Sequence, residues 1–168
     1  MDLQTELGYM RINGWCLLEG IIPADKVDAV RNSVEAAVSA HQSTTAPDDI
    51  GHVPGLIRFE QSFAPYLVHP RLLGLVEALL GQHVRVSFTT AQINFPGNDR
   101  GGWHADWPFN QETAGHVPAP YPDVVMHVTT LWLLSPFNEE NGGTYIVPGS
   151  HRANNNPSGD NGIDPTQP

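Results

Sequence analysis

Val27, Val30, Val34 and Val38 recur at the 3.6-residue spacing of one helical face, so a helix is expected from about Pro23 to His41. Pro23 suits the first turn, and Asp25 lies near the positive end of the helix dipole. A second apolar stripe, Leu72, Leu73, Val76, Leu79 and Leu80, begins after Pro70 and stops at Gly81, which predicts another helix. Before the first helix, the segment from Leu7 to Leu18 mixes aromatic, aliphatic and glycine residues and reads as a short strand or turn-strand. Between the helices, Gln42 to Gly55 is rich in Ser, Thr, Asp, Pro and Gly and reads as a loop.

Past Gly81 the period changes from 3.6 to 2. Val84, Val86 and Phe88 alternate with Arg85, Ser87 and Thr89, and the strand runs on through Gln92 and Asn94 to the Pro96-Gly97 turn. The first parity is apolar early and polar late. Gln92 and Asn94 therefore either face a polar pocket or meet solvent where the strand leaves its sheet. Val124 to Leu134 is the most β-like run, followed by a turn at Asn138–Gly143 and a returning strand at Thr144–Val147. His127, alone in that apolar run, is a possible ligand but reads as a hydrogen-bonded core residue. The long segment Pro108 to Pro122 is expected to be a lid, with Trp107, Phe109 and Tyr121 as substrate or lid contacts.

Composition narrows the function. The 168 residues fit one domain, residues 1–151, with a helical and strand part at 1–82 and a β core at 83–151; residues 152–168 read as a poorly ordered tail. With 18 Asp and Glu against 8 Lys and Arg, the formal charge is -10 and Lys26 is the only lysine, so a nucleic-acid partner is not expected. One cysteine, Cys16, a start without a signal-peptide pattern and no apolar run near the ~20 residues of a bilayer span point to a soluble, cytoplasmic protein without a membrane partner.

The candidate chemistry lies in Trp103-His104-Ala105-Asp106-Trp107, bounded by Gly101-Gly102 and Pro108. In an extended chain, side chains alternate between faces, so His104 and Asp106 share one face while Trp103 and Trp107 take the other, towards the core. An imidazole and a carboxylate on one face are two-thirds of the 2-His-1-carboxylate triad that leaves open positions on Fe(II). On its own the pair also fits a solvated strand end. His151, just past Pro148-Gly149-Ser150, either bonds a nearby loop or approaches the pocket.

Three blocks, Gln92-Ile-Asn-Phe, Gly102-Trp-His-Ala-Asp and the run from Asn138 to Arg152, resemble the phytanoyl-CoA dioxygenase family of Fe(II)- and 2-oxoglutarate-dependent oxygenases. The resemblance implies a mainly β protein with N-terminal helices, built on a double-stranded β-helix of the jelly-roll, cupin-like kind. It implies His104 and Asp106 as iron ligands, and Asn94 and Thr130 beside 2-oxoglutarate. Asn94 is similar to the asparagine that ectoine hydroxylases of this family place there. His151 is implied to support the site rather than to bind metal. The implied reaction hydroxylates a small organic substrate with O2 while 2-oxoglutarate becomes succinate and CO2.

In the family, the third ligand, a histidine, and the arginine that pairs with 2-oxoglutarate lie well beyond the Pro-Gly-Ser-His block. Here 17 residues follow His151, with no histidine among them and no arginine after Arg152. The sequence therefore resembles a C-terminally truncated member with an incomplete β-helix, expected to be inactive as given. The alternative is a catalytically inert metal-binding β module, or a fragment that folds only with a partner strand.

Overall fold

The computed structural model describes residues 2–99, 101–106 and 120–153. Among the described residues are four α-helices, one two-stranded antiparallel sheet and three single-turn 3-10 helices, one before the third α-helix and two after the sheet's second strand.

The N-terminal segment is helical, where a strand was expected. Helix α1, Leu3–Asn13, starts at Asp2, whose side chain accepts from the Thr5 amide at 2.9 Å, and stops at Gly14, which takes φ 83° and donates to the Met10 carbonyl at 2.8 Å. Its buried positions are Glu6 and Leu7. A carboxylate in the middle of the inward face removes the apolar periodicity that would have revealed the helix. Arg71 offsets the cost of burying it: Nε donates to Glu6 Oε1 at 2.8 Å, Nη2 pairs with the same oxygen, and Nη1 donates to the Glu19 carbonyl at 3.0 Å.

Helix α2, Ala24–His41, buries Val30, Val34, Ala37 and Val38, the face that the valine spacing predicts. After α3, Ala64–Leu67, helix α4 spans Pro70–Leu80, buries Leu72 and Leu75 and ends at Gly81.

Strand β1, Ile50–Pro54, lies within the expected loop and pairs with β2, Thr90–Asn94, in the register Ile50 to Asn94 and Val53 to Ala91. Its buried face consists of Gly51 and the fully enclosed Val53. Gly51 is set by close approach: a Cβ there would meet Val38 Cγ1 at 2.8 Å. Val53 and Ala91 join α2 and Leu56 and Phe63 in the main core, with Leu134 packed at its margin.

The expected β core is not present among the described residues. The strand foreseen from Val84 is restricted to Thr90–Asn94, and neither 124–134 nor 144–147 forms a ladder. Val86, Phe88, Val124, Leu131 and Tyr145 are exposed. β-propensity expresses packing against neighbouring strands, and these segments have no ladder partner here to pack on. The Asn138–Gly143 turn is formed, with Asn138 and Asn141 capping each other and Gly142 at φ 86°. Among the described residues, no helix is long and apolar enough to cross a membrane. Residues 154–168, the greater part of the expected tail, lie outside the described residues.

Candidate metal centre

Residues 103–106 show the alternation of an extended segment: Trp103 and Ala105 are half-buried, His104 and Asp106 exposed. Trp103 meets Tyr145 edge-on, with ring centroids 6.5 Å apart, and lies outside the main hydrophobic cluster. It takes the face that alternation requires, without reaching the sheet-side core. An open hollow of about 200 Å³ lined by Phe137, Asn138, Glu139, Gly143, Thr144 and Tyr145 adjoins the Tyr145 side of this contact.

His104 and Asp106 meet as the spacing predicts, with Nε2 3.5 Å from Oδ1. His104 Nδ1 lies 3.0 Å from the Gly102 carbonyl. A carbonyl only accepts, so this contact assigns the proton to Nδ1 and leaves Nε2 with its lone pair in the neutral ring. The Nε2 lone pair and a carboxylate oxygen are thus turned toward each other at the surface, where both side chains are exposed. Imidazole nitrogen and carboxylate oxygen are donors of the kind that Fe(II), Mn(II) or Zn(II) would take. By donor type the pair would give a divalent metal two of its ligands.

Two residues of a separate segment approach Asp106, and of these Thr129 was not foreseen. Thr129 Oγ1 donates to Asp106 Oδ2 at 2.6 Å, and His127 Nε2 lies 3.0 Å from the same hydroxyl. His127 is exposed, so its expected place in the core is corrected: its apolar neighbours have no ladder partner here and stay at the surface. The signal available in the sequence was the i, i+2 spacing of His127 and Thr129, which shares one face if the run is extended.

The other candidate residues are spread wider. Asn94 accepts from Gln92 Nε2 at 3.2 Å, and its Nδ2 would meet a Cβ on Gly142 at 2.8 Å, so the Asn138–Gly143 turn is seated on β2. Thr130 points its hydroxyl to Trp132, accepting from Nε1 at 3.0 Å. His151 sits at the end of α1, with Nε2 3.3 Å from the Arg11 carbonyl, while the Gly149 amide donates to the Asn13 carbonyl at 2.9 Å. Its support thus reaches the C-terminus of α1. Tyr121 is half-buried; Trp107, Phe109 and the loop residues up to 119 lie outside the described residues. Among the described residues, no cluster of three or more His, Cys, Asp or Glu side chains is placed to hold a metal.

Fold and site together describe a helix-flanked chain with an imidazole–carboxylate pair, His104 and Asp106, at its surface. The family model for phytanoyl-CoA dioxygenase matches residues 10–167, and the chain belongs to that family. It is similar to dioxygenase af480 of Aspergillus fumigatus, at 27% identity over 161 residues, 90% of this chain and 50% of that protein. The chain thus spans about half the length of the curated relative it matches. No solved structure matches it. The lineage is that of a dioxygenase.

Proposed function

We propose that the protein is an Fe(II)- and 2-oxoglutarate-dependent dioxygenase that hydroxylates a small organic substrate, and that residues 1–168 supply two of its iron ligands, His104 and Asp106. The observation that carries this reading is the facing of His104 Nε2 and Asp106 Oδ1 across 3.5 Å in a chain of this family. Bound iron supplies the oxygen chemistry that couples conversion of 2-oxoglutarate to succinate and CO2 with oxidation of a C–H bond. The chain's own residues fix its place. The Gly102 carbonyl holds the His104 tautomer, and Trp103 against Tyr145 holds the segment that carries both ligands.

Asn94 and Thr130 are proposed to face 2-oxoglutarate, and the loop with Trp107, Phe109 and Tyr121 to cover the substrate. The exposed apolar residues of 84–88 and 124–133 are what strands of a double-stranded β-helix bury when paired. The acidic balance, a formal charge of -10, favours a small-molecule substrate over a nucleic acid or an anionic membrane surface.

Residues 1–168 titrated with Fe(II) without oxygen are expected to bind metal, and His104→Ala or Asp106→Ala to abolish that binding; retention by either variant overturns the assignment. One observation favours a second reading for this chain alone, an inert metal-binding module: no third metal-binding side chain joins the pair among the described residues. With 2-oxoglutarate and air added, succinate formation by residues 1–168 is therefore expected to stay at the His104→Ala background. Metal-dependent succinate above that level would show that these residues suffice for turnover.

A further inference from the structure

We infer that Thr129 is a positioning residue for the metal centre: its hydroxyl, itself oriented by His127, clamps Asp106 Oδ2 so that Oδ1 is the oxygen presented to the ion beside His104. The inference rests on the metal reading above and adds to it two residues from a separate segment of the chain.

The direction of each hydrogen bond follows from chemistry. An ionised carboxylate only accepts, so the 2.6 Å contact uses the Thr129 proton, and this length lies in the range of a charge-assisted O–H···O⁻ bond. The hydroxyl has one proton. With it committed to Asp106, Thr129 Oγ1 must accept from His127 at 3.0 Å, which places the His127 proton on Nε2. The chain of donors runs one way, from His127 through Thr129 to Asp106.

The need for such a clamp lies in the aspartate's own torsions. The terminal torsion of an Asp side chain is broad, so an exposed carboxylate swings through a wide range unless something holds it. Asp106 is 47% exposed and lies on a segment without a strand ladder, which leaves side-chain bonds to do that holding. Thr129 engages one oxygen from 23 positions away, while Oδ1 stays beside His104 Nε2. With Oδ2 engaged by Thr129, Asp106 would offer a metal its other oxygen, Oδ1. Thr130, one residue on, is turned to Trp132 instead, so the two adjacent threonines have separate duties.

The test is Mn(II) affinity, followed by the loss of the free-ion electron paramagnetic resonance signal, for residues 1–168 and the variants Thr129→Val, Thr129→Ser and His127→Phe. Outer partners of metal ligands are worth about 10–100-fold in affinity, so Thr129→Val is expected to weaken Mn(II) binding at least about tenfold. Thr129→Ser should restore it, and His127→Phe should give a smaller loss. Circular dichroism melts check that the valine variant, nearly isosteric and at an exposed site, stays folded. Wild-type affinity in Thr129→Val, or no rescue by serine, overturns the positioning role while leaving the metal site standing. Failure of the unmodified chain to bind Mn(II) overturns both. A long-range ¹H–¹⁵N spectrum showing the His127 proton on Nδ1 would also contradict the relay.

Discussion

Glu6 and Arg71, 65 positions apart, form an ion pair in which the carboxylate is fully buried and the guanidinium is about one-third exposed. The pair bolts α1 to α4. Oε2 has no hydrogen-bond partner, and among the described residues Arg71 is the side chain that bonds this carboxylate, through Oε1.

Removing that partner leaves a buried charge without compensation. Arg71→Met is expected to lower unfolding stability by about 3–5 kcal/mol, read from urea denaturation. The double variant Arg71→Met, Glu6→Leu should recover much of the loss, since an apolar pair of similar volume avoids the desolvation cost. A change below about 1 kcal/mol in Arg71→Met would show that the pair is not the tie between these helices.

Gly51 lets β1 approach α2. Alanine there would place a methyl 2.8 Å from Val38 Cγ1 and 3.2 Å from Phe95 Cζ, and overpacking of this kind costs about 1–3 kcal/mol. In a double-mutant cycle with Val38→Ala, the two losses should fall short of additivity, because the smaller residue opens the space that the methyl needs. Strict additivity would mean that the backbone shifts instead.

Cys16 is raised above its ordinary thiol range, first by burial and then by the nearby Glu6 charge, with Arg71 acting in the opposite direction. A raised value means less thiolate at any given pH. Alkylation of the folded protein should therefore be slow at pH 8, and its pH profile should be displaced upward from that of a free cysteine. Arg71→Met should displace it further. A rate equal to that of the urea-unfolded chain would contradict this.

Helix α2 was legible because Val30, Val34 and Val38 place apolar side chains at helical spacing against the interior, and α4 because its apolar stripe ends at Gly81, although of that stripe only Leu72 is buried and Leu75, outside it, is the other buried residue. Helix α1 was not, since Glu6 occupies its inward face. Strand β1 was hidden for a related reason: Gly51 and Val53 are its only buried residues, and contact with Val38 excludes a side chain at the first. The runs 84–88 and 124–134 have strand composition, but sheet structure needs a ladder partner that no local pattern supplies. At the site, His104 and Asp106 could be read from their i, i+2 spacing. Thr129 could not, because its tie to Asp106 joins segments 23 residues apart.

Where a divalent ion binds is measured most directly by paramagnetic broadening. With residues 1–168 labelled with ¹⁵N and substoichiometric Mn(II) added, signals from His104, Asp106, Thr129 and the amides around them should vanish first. Signals of the α2 core around Val34 and Val38 should persist, and the loss at the site should disappear in Asp106→Ala. Broadening centred elsewhere, or the same pattern in Asp106→Ala, would contradict the assignment of His104 and Asp106 as metal ligands.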